Sequence, residues 1–383
     1  MKALDKIKIA VLCLCIGMTF CYGKALASDT VKIGSFLAVT GPASFLGDPE
    51  LKTLQMYIDE INAKGGIDGK KIEFIHYDTK GKAKEAKNFV NRLIKKDKVD
   101  VIIGGTTSGN TLAVIDIVQK AKVPLISLAG SVKIIEPVKK WVFKTPHTDR
   151  MAAEKIFQDM KKRGITKIAL ITGNGGFDKS GRAQCFALAP KYGIEIVADE
   201  KYGNADTDMT TQLTKIRGTD AQAILNFGFG KAPAIVVKNI RQLGIKLPIY
   251  ESHGVASKKF IELAGPAANG VRLPAAALIV ADQLPANDPQ KKVLLDYKKK
   301  YEAKYGPVST FGGHAYDALF ITVGAIERAK SSDPSKIRDE IEKTHGFVGT
   351  GGVFNMSPTD HLGLGLDAFK MIEVQDGNWK LLY

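Results

Sequence analysis

Residues 101–119 constrain this chain more than any other stretch. Val101-Ile-Ile is a short apolar run of the kind that forms a buried parallel strand. Gly104 and Gly105 break it, residues 106–111 are small and hydroxylic, and an apolar helical pattern begins at Leu112. Strand, polar turn and helix then recur. Strands at 31–37, 71–77, 101–103 and 123–127 alternate with helical stretches, including one after the loop 40–47 and one over 83–95. A second series places strands at 167–172, 194–198, 221–227 and 248–251 between helices at 151–162, 209–216, 231–243 and 258–264. This rhythm predicts an α/β fold of two doubly wound, Rossmann-like lobes with parallel sheets. Helices over 289–305, 313–329 and 335–342 and short strands at 353–354, 368–373 and 379–382 do not form a third domain. They return to complete the two lobes, which requires more than one chain crossing. The expected division is 28–147 plus 278–352 for the first lobe and 148–277 plus 353–383 for the second.

The N-terminus reads as a processing signal. Lys2, Lys6 and Lys8 precede an apolar run from Ile9 to Tyr22, and Ala25-Leu26-Ala27 supplies an A-x-A pattern before Ser28. Export to the periplasm, with cleavage after Ala27, is expected. Cleavage removes four Lys, one Asp and three of the four Cys, so the net charge falls from +15 to +12. Only Cys185 stays, which excludes an intramolecular disulfide. The basic residues are scattered, as in Lys298-Lys299-Lys300, and are not interleaved with aromatics, so no nucleic-acid partner is expected. No second apolar run is long enough to cross a membrane.

In open α/β sheets, ligands sit beyond the carboxyl ends of the strands. The first lobe presents the loops 40–47, 106–111 and 128–131 there; the second presents 173–177, 227–231 and 251–254. The first set offers hydroxyls and backbone N–H groups at Ser108, Thr111 and Ser131. No Lys or Arg lies between Val101 and Gln119, so an anion here would be held by neutral donors. Ser108 or Asn110 also suits a helix N-cap. The second set offers Phe177, Phe229 and the imidazole of His253. Together they suit a small molecule with a carboxylate and an apolar body. Enzymatic readings find little support. Gly173 to Ser180 nearly matches a phosphate-binding loop, but Asp178 stands where a Gly is needed. The six His show no ligand spacing, so no metal or cofactor is expected. No Gly-x-Ser-x-Gly elbow is present.

Several of these stretches together resemble a known family. Thr40-Gly-Pro-Ala, Ile61-Asn-Ala-Lys-Gly-Gly-Ile-Asp-Gly-Lys-Lys, Tyr77-Asp78, the loop from Ile103 to Ser108, Pro124-Leu-Ile-Ser and Gly254-Val-Ala are similar to periplasmic Leu/Ile/Val binding proteins of ABC transporters. The similarity runs from about Val31 to the C-terminus. It implies the type I periplasmic-binding fold, with three crossing segments between lobes, placed near residues 146–148, 276–278 and 351–353. It also implies a monomer that closes on its ligand by a hinge and is recognised, closed, by a membrane permease. A ligand-sensing domain of the same fold is the remoter alternative.

Carried over position by position, the resemblance makes Ser108, with Thr111, the carboxylate anchor. Ala129, Gly130 and Ser131 supply backbone groups and a hydroxyl. Phe177 and Phe229 stand where the family commonly has Tyr, and Leu46 stands at a Tyr of the first loop. His253 stands where a Glu commonly grips the ligand's α-ammonium. The disulfide of some members is missing, with Gly81 and Thr107 at its positions. An unpaired buried ammonium costs several kcal/mol. The expected ligand is therefore an apolar or aromatic carboxylate without an α-amino group. The alternatives are that Glu251 or Asp178 takes over the ammonium, and that the ligand is a branched-chain amino acid.

Overall fold

The computed structural model describes residues 30–203 and 205–383, so the leader expected over 1–27 lies outside the described residues. A first sheet joins β1 (Val31–Leu37), β2 (Ile72–Asp78), β3 (Val101–Gly104), β4 (Leu125–Ser127) and β5 (Val142–Lys144) in the order β2-β1-β3-β4-β5. All its pairings are parallel. Helices cover both faces of such a sheet, which is why Val101, Ile102 and Ile103 are fully buried and why their run is continuously apolar.

The second sheet holds β6 (Lys167–Thr172), β7 (Glu195–Lys201), β8 (Ala223–Phe227), β9 (Ile249–Glu251), β10 (Arg272–Ala276), β13 (Phe369–Gln375) and β14 (Asn378–Leu381). Its order is β14-β13-β10-β9-β8-β6-β7. Strands β6 to β10 pair in parallel, whereas the C-terminal hairpin adds β13 and β14 antiparallel at one edge. Between them, the short strands β11 (Phe347–Val348) and β12 (Val353–Phe354) pair only with each other.

Twelve α-helices lie among the described residues. In chain order α1 (Ser44–Ala63), α2 (Ala83–Arg92), α3 (Ser108–Leu112) and α4 (Ile115–Ala121) come first. Next are α5 (Asp149–Lys162), α6 (Gly176–Leu188), α7 (Thr210–Arg217), α8 (Ala232–Gln242) and α9 (Lys258–Ala264). The last three are α10 (Lys291–Tyr305), α11 (Thr310–Ala329) and α12 (Pro334–Glu342). Cys185 is fully buried in α6.

The helix expected from Leu112 begins four residues earlier, at Ser108, and breaks before Ile115. The apolar period misses the first turn because Ser108, Gly109 and Asn110 carry no apolar side chain. Thr107 is the residue that caps it: its side chain accepts from the Asn110 N–H at 3.3 Å.

The chain passes between the sheets three times: from β5 to α5, from β10 towards α10, and from β12 to β13. Before the last passage, Phe354, Met356, Leu362 and Leu364 pack in the core that covers the first sheet. Helix α11 runs beneath the passages and is buried along almost its whole length, which accounts for its apolar composition. Its one buried carboxylate, Asp317, accepts from Thr350 N at 2.6 Å, Gly351 N at 2.8 Å and Thr350 Oγ1 at 3.1 Å. Its His314 carbonyl accepts from Thr145 Oγ1 at 2.9 Å. One helix thus anchors chain near two of the three passages.

Candidate ligand-binding site

A cavity lies between the carboxyl ends of the two sheets. Leu46, Ser108, Gly130, Phe177, Phe229 and His253 are on its wall, so the structure brings six of the nine sequence-derived positions together. Thr111, Ala129 and Ser131 are not on that wall. The Thr111 hydroxyl lies 2.9 Å from Ser127 Oγ and donates to Gly105 O at 3.2 Å, so it serves the turn beneath Ser108. Ala129 is buried behind Gly130.

The hydroxyl of Ser108 accepts from Ser131 N at 3.1 Å, which leaves its own proton for the cavity. Thr106, also on the wall, is turned inward by its side chain: Oγ1 accepts from Ala38 N at 3.0 Å and donates to buried Glu50. Burial holds the Glu50 carboxyl well above the usual carboxylate range, and the Thr106 bond only partly opposes that.

The apolar side of the cavity comes from both lobes. Phe177 stands 5.2 Å from Phe227, 5.2 Å from His253 and 6.2 Å from Phe229 between ring centroids. Leu46 and Phe311 pack with Ala38 and Ala43, and Phe229 lies against that group. Gly130 is small because it must be: a Cβ there would meet Phe177 Cε2 at 2.7 Å and His253 Nε2 at 3.0 Å.

Two imidazoles, His253 and His314, face the cavity. Burial pulls both down to about 3, so both are neutral at physiological pH. His253 also bonds the backbone of His147, and that opposes the shift. Phe311, His314 and Pro146 belong to the wall but were not among the sequence-derived positions. Phe311 and His314 are one turn apart at the start of α11. The expected helix began at 313, however, and read as core only.

Neither acidic residue near the cleft reaches the wall. Asp178 accepts from Gly175 N at 2.6 Å, so the carboxylate closes the helix start that a phosphate would otherwise occupy. Burial raises it to about 7. Glu251 accepts from Asn226 Nδ2 at 3.0 Å and is likewise held well above the carboxylate range by burial. Each has a second oxygen that is buried without a hydrogen-bond partner.

The lobes touch around the cavity. Ser131 Oγ donates to Ser180 Oγ at 2.7 Å across the cleft. The backbone of Gly109 lies close over Gly176. Thr310 Oγ1 donates to Ala256 O at 3.4 Å on the other side.

Comparison with known proteins gives the family and the fold. The family model described as periplasmic binding protein matches residues 30–378. The Leucine-, isoleucine-, valine-, threonine-, and alanine-binding protein of Pseudomonas aeruginosa is 24% identical over 332 residues, covering 86% of each chain. The Leu/Ile/Val-binding protein of Escherichia coli K12 is 25% identical over 338 residues, again 86% of each. Among solved structures, an extracellular ligand-binding receptor from Rhodopseudomonas palustris HaA2 superposes with a TM-score of 0.87 at 30% identity, over 92% of this chain and 99% of that one. The substrate-binding protein LivJ of Streptococcus pneumoniae, in complex with isoleucine, gives 0.80 at 29% identity over 92% and 99%.

Proposed function

The chain belongs to the periplasmic binding protein family, of the type that serves branched-chain amino-acid ABC importers, and from that premise we propose that its ligand is a small apolar acid without an α-ammonium group. One observation carries this reading: no Asp or Glu is among the residues that line the cavity. A carboxylate has a partner there in the Ser108 hydroxyl. An apolar or aromatic body has Phe177, Phe229, Phe311 and Leu46. An ammonium would find only neutral acceptors there and no carboxylate to pair with its charge.

The second reading is a branched-chain amino acid. It is favoured by the ligands that the relatives' names print and by the isoleucine complex of LivJ. A thermal-shift screen separates the two. Benzoate and 4-methylpentanoate are expected to raise the melting temperature by several degrees at saturating concentration, and leucine, isoleucine and valine by less. A shift with the three amino acids alone would reverse the assignment.

The rest of the reading follows the family. The protein is exported with cleavage after Ala27, acts as a monomer, closes on its ligand, and presents the closed form to a permease. Ser108, Gly130, Phe177, Phe229, His253 and Leu46 contact the ligand; Thr111, Ala129 and Ser131 support them. The lobes are 28–147 plus 278–352 and 148–277 plus 353–383. The core membership of Phe354, Met356, Leu362 and Leu364 favours moving the last boundary to about 368.

A further inference from the structure

The loop around Ser108 contains no cation, yet a lysine lies directly behind the cavity wall. Lys144, the last residue of β5, is fully buried. Its ammonium donates to Pro146 O at 2.7 Å, His147 O at 3.3 Å and Gly130 O at 3.4 Å. Gly130 and Pro146 are themselves cavity wall. All three partners are neutral carbonyls. Buried charges in proteins are ordinarily paired, because an isolated one loses its hydration without return. Asp149 and Glu136 act on Lys144 only through space, and no ion pair to it occurs among the described residues. Asp149 spends one oxygen on Val132 N and Arg150 N, both at 2.9 Å.

We propose that Lys144 is the buried counter-charge of the ligand carboxylate: a positioning residue whose ammonium, one peptide layer behind Gly130 and Pro146, attracts the anion and ties the ligand loop to the first crossing segment. This rests on the reading that a carboxylate enters the cavity, and it holds for an apolar acid and an amino acid alike. The attraction needs no contact. Across a wall that excludes water, unit charges of opposite sign within roughly 8 Å favour binding by on the order of tenfold or more. The same three bonds fix the carbonyls of Gly130, Pro146 and His147. Arrival of the anion therefore strengthens the tie between the first-lobe loop and the passage to α5.

A pH dependence follows. Burial lowers Lys144 to about 7, opposed by Asp149 and Glu136. A bound anion raises it again, so binding takes up a proton. Affinity is then greatest below about pH 7 and falls by up to tenfold per unit above it, until the bound-state value is reached. The other titratable groups around Lys144 are His147, His253 and His314, all held far below neutrality by burial, and Asp149, raised by burial. Asp178 and Asp317 titrate near 7 elsewhere in the molecule, so the assignment needs the substituted protein.

The test compares the parent with Lys144→Met by calorimetry from pH 6 to 9, using leucine, 4-methylpentanoate and its neutral amide. The expected result is a loss of about tenfold or more for whichever acid binds, with no loss for the amide, and a pH slope that disappears in the variant. Equal loss for acid and amide assigns Lys144 a purely structural role and overturns the proposal. So does a pH slope that survives the substitution. If Lys144→Met does not fold, Lys144→Arg, which stays charged across this pH range, decides: acid affinity that is kept while the pH slope disappears supports the proposal, and a slope that survives overturns it. A parent that binds neither acid refutes the carboxylate reading itself.

Discussion

A valine at position 176 is expected to lower ligand affinity by about a hundredfold while leaving the fold intact. Gly176 opens α6 in the second lobe and faces the backbone of Gly109 in the first. A Cβ there would stand 3.0 Å from Gly109 N and 3.2 Å from its Cα. The atoms it meets are backbone, so they have no rotamer with which to yield. The strain exists only when the lobes are together, so the substitution weakens closure and every interaction that depends on it. A closure penalty of about 2.7 kcal/mol corresponds to a hundredfold. Calorimetry of the parent's best ligand against Gly176→Val measures this, with a melting curve as the control. An unchanged affinity would mean that the ligand does not require the closed arrangement.

Asp317→Ala is expected to act on stability instead. The carboxylate accepts three bonds from Thr350 and Gly351 and is wholly buried in α11. Removing it leaves two backbone N–H groups and a hydroxyl without an acceptor where water does not reach. The expected cost is about 3 kcal/mol, seen as a melting temperature lower by about 5 °C or more. Asp317→Asn restores one acceptor oxygen and should recover part of the loss. A melting temperature unchanged in Asp317→Ala would show that the Thr350–Gly351 segment is held by other contacts.

These two residues also mark what the sequence could reveal. Periodicity found the lobes because parallel strands such as Val101-Ile-Ile are buried on both faces and read as unbroken apolar runs. The loops at their ends followed from the strand direction alone, and six of the nine candidate positions share one cavity. What periodicity could not see was orientation. Ser108 and Thr111 are both hydroxylic and one helical turn apart, but Ser108 is on the cavity wall whereas the Thr111 hydroxyl is taken up by Gly105 O and Ser127 Oγ in the turn beneath. Phe311 lay outside the helix expected from 313, and α11, which begins at Thr310, brings it with His314 to the cavity wall. Lys144 ends the short strand β5 and carries no local sign of its burial. Its position behind Gly130 comes from the pairing of β5 with β4, a contact between distant stretches.

The central proposal is that the cavity receives an acid and offers an ammonium no carboxylate. Leucine and 4-methylpentanoate differ only in that ammonium. Calorimetric titration of the protein with this pair at pH 6.5 isolates it. 4-Methylpentanoate is expected to bind the more tightly, because no carboxylate on the wall pairs with the ammonium of leucine. Leucine binding a hundredfold more tightly than its desamino counterpart would contradict the account and return the protein to its family's amino-acid pattern.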